Sequence, residues 1–259
     1  MLTATSFSTL LVLGITVMIA STLHLISVLP PRRPRPTRRA RKDAHVLIVL
    51  GSGGHTAEMV ILLEDMNKQL GEFNKRTWIV SEGDGFSAGR AAELEDYIKE
   101  EGAASGTVKK QSEDMDIITI PRARQIHQSL FTTPVSSLRC LWACLALLRR
   151  NPPDIVLTNG PGTGVILVLA SLVLRFFNFA MSHEVSSTRI IYIESLARIR
   201  RLSLSGRLLS RVVDRFLVQW EELSAFGEFR GTLVLDAVKN AGTGNAASEV
   251  REPRLKVRI

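Results

Sequence analysis

The sequence predicts a doubly wound α/β domain with a mostly parallel sheet, preceded by a transmembrane helix. Three observations predict it. Short runs rich in Val, Ile and Leu alternate with longer helix-like stretches from residue 44 onward. Several of those runs end in Gly-rich turns. And the 23 residues 7–29 contain no charged side chain.

The apolar stretch FSTLLVLGITVMIASTLHLISVL is long enough as a helix to cross a hydrocarbon core of about 30 Å with some tilt. A cleaved signal peptide fits less well, because no basic residue precedes the run and its length exceeds the usual apolar core of such a peptide. Seven bases follow it directly, between Arg32 and Lys42, with no acid among them. The positive-inside rule then keeps that cluster, and all that follows it, in the cytosol. Four prolines between Pro30 and Lys42 end the helix and make an extended spacer, which either touches anionic lipid or only fixes the topology. The expected organisation is an anchor at 1–30, a basic linker at 31–43, a Rossmann-like domain at 44–234 and a polar tail at 235–259.

The net charge of +8 belongs to that linker. From Asp43 onward 26 basic side chains face 25 acidic ones. A nucleic-acid-binding domain usually carries its basic face on the fold itself, so the sequence calls for no nucleic-acid partner. Cys140 and Cys144 stand four apart in a helical stretch with no further ligand at metal spacing, and read as small core residues. No metal or other cofactor is called for.

The elements follow in order. HVLIVL at 45–50 reads as a strand buried on both faces. It ends in Gly51, Ser52, Gly53 and Gly54, before a helix over 55–70. RTWIVS at 76–81 is a second strand, 87–100 a polar helix, 102–114 a hydrophilic loop and DIITI at 116–120 a third strand. A helix over 134–150 stops at Asn151-Pro152-Pro153. DIVLT at 154–158 is a fourth strand, broken by Asn159, Gly160, Pro161 and Gly162 before an apolar helix over 163–177. That helix is too short to span a bilayer, so it packs on the sheet or touches a membrane surface. A fifth strand at 189–193, a helix at 205–213 and a sixth strand at 215–218 complete the pattern.

In such a sheet ligands sit beyond the carboxyl ends of the strands. The first turn, continuing into His55 and Thr56, suits an anion: its glycines admit a close approach, and the next helix offers free N–H groups. It has neither the Lys of a P-loop nor the spacing of a dinucleotide fingerprint. A tight turn with His55 as a helix cap is the plain alternative. The second turn holds Asn159, Gly160, Gly162 and Thr163, either as sugar or amide contacts or as a structural turn. Glu194 ends the fifth strand, where a carboxylate serves as a general base, grips a sugar hydroxyl, or caps the next helix. Arg122, Arg124 and His127 follow the third strand and add positive charge at the same edge, enough to cradle a diphosphate.

Taken together, these segments resemble the asparagine-linked glycosylation protein fourteen family. The matching stretches are GSGGHTAEM at 51–59, PRARQIHQS at 121–129, TNGPGTG at 158–164, IIYIES at 190–195, LSLSGRLL at 202–209 and DRFLVQW at 214–220, with the anchor before them. The resemblance implies the N-terminal, acceptor-side half of an inverting GT-B glycosyltransferase divided over two chains. It implies transfer of GlcNAc onto GlcNAc-diphosphodolichol at the cytosolic face of the endoplasmic reticulum, with the outer nuclear membrane a further location. The soluble catalytic partner would be of the asparagine-linked glycosylation protein thirteen type. In that setting the turn from Gly51 to His55 meets the acceptor diphosphate, and Glu194 or His55 is the candidate base. The residues after Val234 depart from the family pattern.

Overall fold

The computed structural model describes residues 4–30, 44–66, 70, 73, 75–104, 114–125, 128–129, 131–177 and 188–224. The basic linker, the polar tail, His127 and most of the hydrophilic loop at 102–114 lie outside the described residues.

Helix α1 (Ala4–Val28) has a mean hydropathy of 2.1 over Ser8–Val28, and none of that window is buried. It is long and apolar enough to cross a membrane. The strands that follow are β1 (His45–Val49), β2 (Lys75–Ser81), β3 (Asp114–Ile120), β4 (Ile155–Thr158), β5 (Arg189–Ile193) and β6 (Arg215–Leu217). They form one sheet in the order β3-β2-β1-β4-β5-β6, and every pair is parallel. The chain winds outward from β1 to β3, then returns to place β4 on β1's other side. The topological switch point therefore lies between β1 and β4, where two neighbouring strand ends send their chains to opposite faces.

The helices are α2 (Gly54–Asp65), α3 (Gly85–Ala104), α4 (Thr133–Arg150), α5 (Thr163–Phe177), α6 (Leu204–Leu209) and the short α7 (Glu221–Ser224). Strand alternation sorts them into two layers. Val46 and Ile48 of β1 face Met59 and Leu63 of α2 and Leu94 and Ile98 of α3. Leu47 and Val49 face Cys140, Cys144 and Leu148 of α4 and Leu167 and Val168 of α5. All five β1 side chains are thus buried, which is why the run reads as continuously apolar. The two cysteines are free thiols inside the second layer. Their mutual hydrogen bond, and then burial, push the Cys144 thiol up.

Most boundaries fall within two residues of the sequence expectation, and two helices are shorter. α2 stops at Asp65 because the Met66 N–H turns back to Leu63 O, a tightened last turn. α6 stops at Leu209, whose carbonyl takes the N–H of both Val212 and Val213. One buried pair was not expected. Arg76 of β2 donates from Nε to both oxygens of Glu95 on α3, and from Nη1 to Phe73 O at 2.6 Å. Trp78 Nε1 also donates to Glu95 Oε2 at 3.0 Å. These bonds satisfy the carboxylate that the polar helix buries, and they fix α3 to the sheet.

Candidate functional site

Two turns close over the switch point. At Gly51 and Gly160 the backbones pass so closely that a Cβ on Gly160 would stand 3.0 Å from Gly51 Cα. Asn159 Nδ2 ties the turns together by donating to His55 O at 2.5 Å. Thr56 Oγ1 holds the first turn from beneath, donating to Gly51 O at 2.7 Å, and Ser87 Oγ donates to the same carbonyl. Gly53 (φ 58°) and Gly162 (φ 73°) each take the left-handed conformation that turns the chain into α2 and α5. Neither helix has an acidic residue in its first turn, and Gly53 gives α2 no side-chain cap. Both helices therefore present N–H groups and a positive dipole end to the same region.

Beside this junction lies a cleft of about 410 Å³, lined by Gly51, Ser52, Ser81, Arg122, Ala123, Arg124, Gln125, Pro161, Gly162 and Thr163. Its walls come from the carboxyl ends of β1, β2, β3 and β4. Ser81 Oγ and Thr163 Oγ1 meet at 3.0 Å across its floor. Arg122 donates from Nε to Glu82 O at 2.8 Å, and Arg124 from Nη2 to Gln128 O at 3.0 Å. Each guanidinium is steadied by a backbone carbonyl. The lining contains two arginines and no carboxylate, an electrostatic setting for an anion with several oxygens.

Six of the residues singled out in the sequence thus line one cleft: Gly51, Ser52, Arg122, Arg124, Gly162 and Thr163. Thr56, Asn159 and Gly160 do not line it; they build the joint between the turns, and both Thr56 and Asn159 are buried. Gly53 and Gly54 lie exposed at the start of α2. Ser81, Ala123, Gln125 and Pro161 were not singled out. Ser81 carries no motif of its own, and only β2's position beside β1 brings it to the site.

Glu194 stands apart from the cleft and is 1% exposed. Its carboxylate accepts from Ser195 N, Ser203 N and Ser203 Oγ, each at 3.1 Å. A Cβ on Gly206 would run into it. Its carboxylate thereby holds Ser203, and it is Ser203 Oγ that caps α6, accepting from Gly206 N at 2.9 Å. Beside it, burial and then the Glu194 charge raise the Tyr192 hydroxyl to about 12. His55 stands against Gly51, where an added Cβ would meet its own, and is 31% exposed at its side chain, with Nδ1 3.6 Å from Glu58 Oε2. Glu58 Oε1 in turn accepts from Ser195 Oγ at 2.8 Å. His55 Nδ1 and Glu58 Oε2 face each other without a hydrogen bond, and each is a buried polar atom with no partner among the described residues.

The family model described as oligosaccharide biosynthesis protein Alg14 like matches residues 46–230, which include all of this site. The chain belongs to that family. It is 36% identical over 216 residues to the UDP-N-acetylglucosamine transferase subunit alg14 of Aspergillus fumigatus, covering 67% of this chain and 95% of the relative. The subunit of the same name from Yarrowia lipolytica is 34% identical over 232 residues, covering 88% of this chain and 99% of the relative. The Mus musculus subunit is 32% identical over 200 residues, covering 77% and 84%. Among solved structures, MurG of Acinetobacter baumannii is similar with a TM-score of 0.47 and 12% identity. That similarity covers 74% of this chain and 45% of MurG, so the chain spans less than half of that protein.

Proposed function

We propose that this chain is the membrane-anchoring, acceptor-binding subunit of a two-chain UDP-GlcNAc transferase. The complex adds the second GlcNAc to GlcNAc-diphosphodolichol, with inversion, on the cytosolic face of the endoplasmic reticulum. Family membership supports the transferase class. The observation that carries the acceptor-side reading is the cleft itself: four parallel strand ends bring two arginines and the N-terminus of α5 around one anion-sized space free of carboxylates.

In this reading Arg122, Arg124 and the turn at 51–54 hold the acceptor diphosphate. The acceptor sugar extends towards His55. As its hydroxyl oxygen attacks C1 of the donor GlcNAc, the C1–O bond to UDP breaks and UDP leaves with that electron pair. His55 takes the hydroxyl proton, and the nearby Glu58 carboxylate favours the imidazolium that forms. Glu194 serves by shaping the β5–α6 junction. The donor nucleotide belongs to a second α/β domain of the GT-B arrangement, supplied by the soluble catalytic subunit of the asparagine-linked glycosylation protein thirteen type. Apolar α1 ties the domain to the membrane that carries the lipid-linked substrate, in the endoplasmic reticulum and in the outer nuclear membrane continuous with it.

The test is reconstitution of the full chain with UDP-GlcNAc and a GlcNAc-diphosphate-lipid. The chain alone should transfer nothing, and adding the soluble subunit should start transfer. Arg122→Ala/Arg124→Ala should then raise the acceptor KM at least tenfold, leave the UDP-GlcNAc KM unchanged and keep the two chains together. Transfer by this chain alone would refute the divided enzyme. Unchanged kinetics with the double variant would reduce the chain to a scaffold that only recruits its partner.

A further inference from the structure

The two helical layers carry opposite charge. α2 and α3 together hold eight acidic and two basic side chains. α4, α5 and α6 hold five arginines and no acid. One of those arginines, Arg175, is buried against Asp214, which leaves Arg139, Arg149, Arg150 and Arg207 on the outside.

The basic layer also exposes a stripe of large apolar side chains. Val135, Leu138 and Trp142 follow one another at intervals of three and four and so share one side of α4, with Phe131 exposed in the turn just before the helix. Phe131 is 96% exposed and Trp142 75%. A basic helix with aromatic and aliphatic residues along one edge is the composition of a segment that lies in a membrane interface.

The path of α1 says which occupant this stripe takes. His24 Nε2 makes a 2.8 Å hydrogen-bonding contact with Phe176 O at the end of α5, and the two rings meet edge to face. Leu29 packs against the core beneath α4 and α5, not against the α2–α3 side. α1 therefore joins the domain on the basic layer. Its foot meets the end of α5 remote from the cleft-lining Thr163, about 20 Å away along the helix. Contact with a membrane at the foot alone would leave the cleft distant from the lipid. The stripe lies at the cleft end, where Ser136 and Ser137 of α4 both donate to the carbonyl of cleft-lining Ala123.

We propose that the outer face of α4 seats on the anionic surface of the bilayer that α1 enters, bringing the mouth of the cleft to headgroup level. The acidic α2–α3 layer then faces water. This inference rests on reading α1 as a membrane anchor and is independent of the reaction assigned to the cleft.

The test uses the full chain reconstituted into vesicles of phosphatidylcholine and phosphatidylserine, with and without brominated acyl chains, which quench nearby tryptophan emission. Of the three tryptophans, Trp78 is fully buried in the sheet and Trp142 lies on the stripe. Brominated lipid should quench part of the wild-type emission, and that quenched component should vanish in Trp142→Phe, which keeps the apolar face. Val135→Glu/Leu138→Glu, which retains Trp142, should abolish most of the quenching although α1 still holds the chain in the membrane. Omitting phosphatidylserine should weaken the quenching several-fold. Quenching unchanged in Trp142→Phe, or absent from the wild type, would overturn the proposal. So would loss of the soluble subunit from the double-glutamate variant while wild-type Trp142 stays unquenched, because the stripe would then be a protein interface.

Discussion

Single residues set the geometry of the cleft by how little they occupy. Gly51 and Gly160 let two turns touch backbone to backbone, and a methyl group on either must push something aside. Gly160→Ala should therefore cost about 1–3 kcal/mol of stability in denaturant unfolding and weaken binding of a GlcNAc-diphosphate-lipid about tenfold. Unaltered acceptor affinity would mean that the joint does not position the site. At this scale the sequence was informative about residue type and silent about use. Glycines after a buried strand announced close approach, but whether they approach a ligand or each other depended on which strand ends become neighbours. Glu194 shows the same limit: a carboxylate at a strand end suits a base and a cap equally. The structure adds what the sequence did not show, that the carboxylate is engaged by three N–H and O–H groups while Ser203 caps the helix. Arg122 and Arg124 were legible as a pair because both follow a predicted strand at the ligand-binding edge.

Elements were the most legible level. A strand buried on both faces shows in composition alone, and Pro or Gly marks where most of them end. The buried Arg76–Glu95 pair was not legible, since an arginine opening a strand and a glutamate in a polar helix each look solvated when read alone. Their distance of 19 positions carries no periodic signal. Glu95→Gln should leave the guanidinium uncompensated inside α3 and β2 and cost about 3–5 kcal/mol in equilibrium unfolding. Arg76→Met/Glu95→Leu should recover most of that loss by removing both charges. A double variant no more stable than the single one would place the defect in packing rather than in the unpaired charge.

At the scale of the whole molecule, the parallel order β3-β2-β1-β4-β5-β6 makes a site out of segments scattered from residue 51 to residue 163. It also puts an acidic layer on one face and a basic, partly apolar layer on the other, with α1 joined to the second. The alternation of strands and helices foretold the sheet. The layer charges could be assigned only once each crossover had a face, because the sequence balance after residue 43 is nearly neutral. The central claim is that this chain itself grips the lipid-linked acceptor. It is tested by titrating a short-chain GlcNAc-diphosphate-lipid into the full chain in detergent, without the soluble subunit or UDP-GlcNAc. Saturable binding that falls at least tenfold in Arg122→Ala/Arg124→Ala is the predicted result. No binding, or equal binding by the double variant, would contradict it.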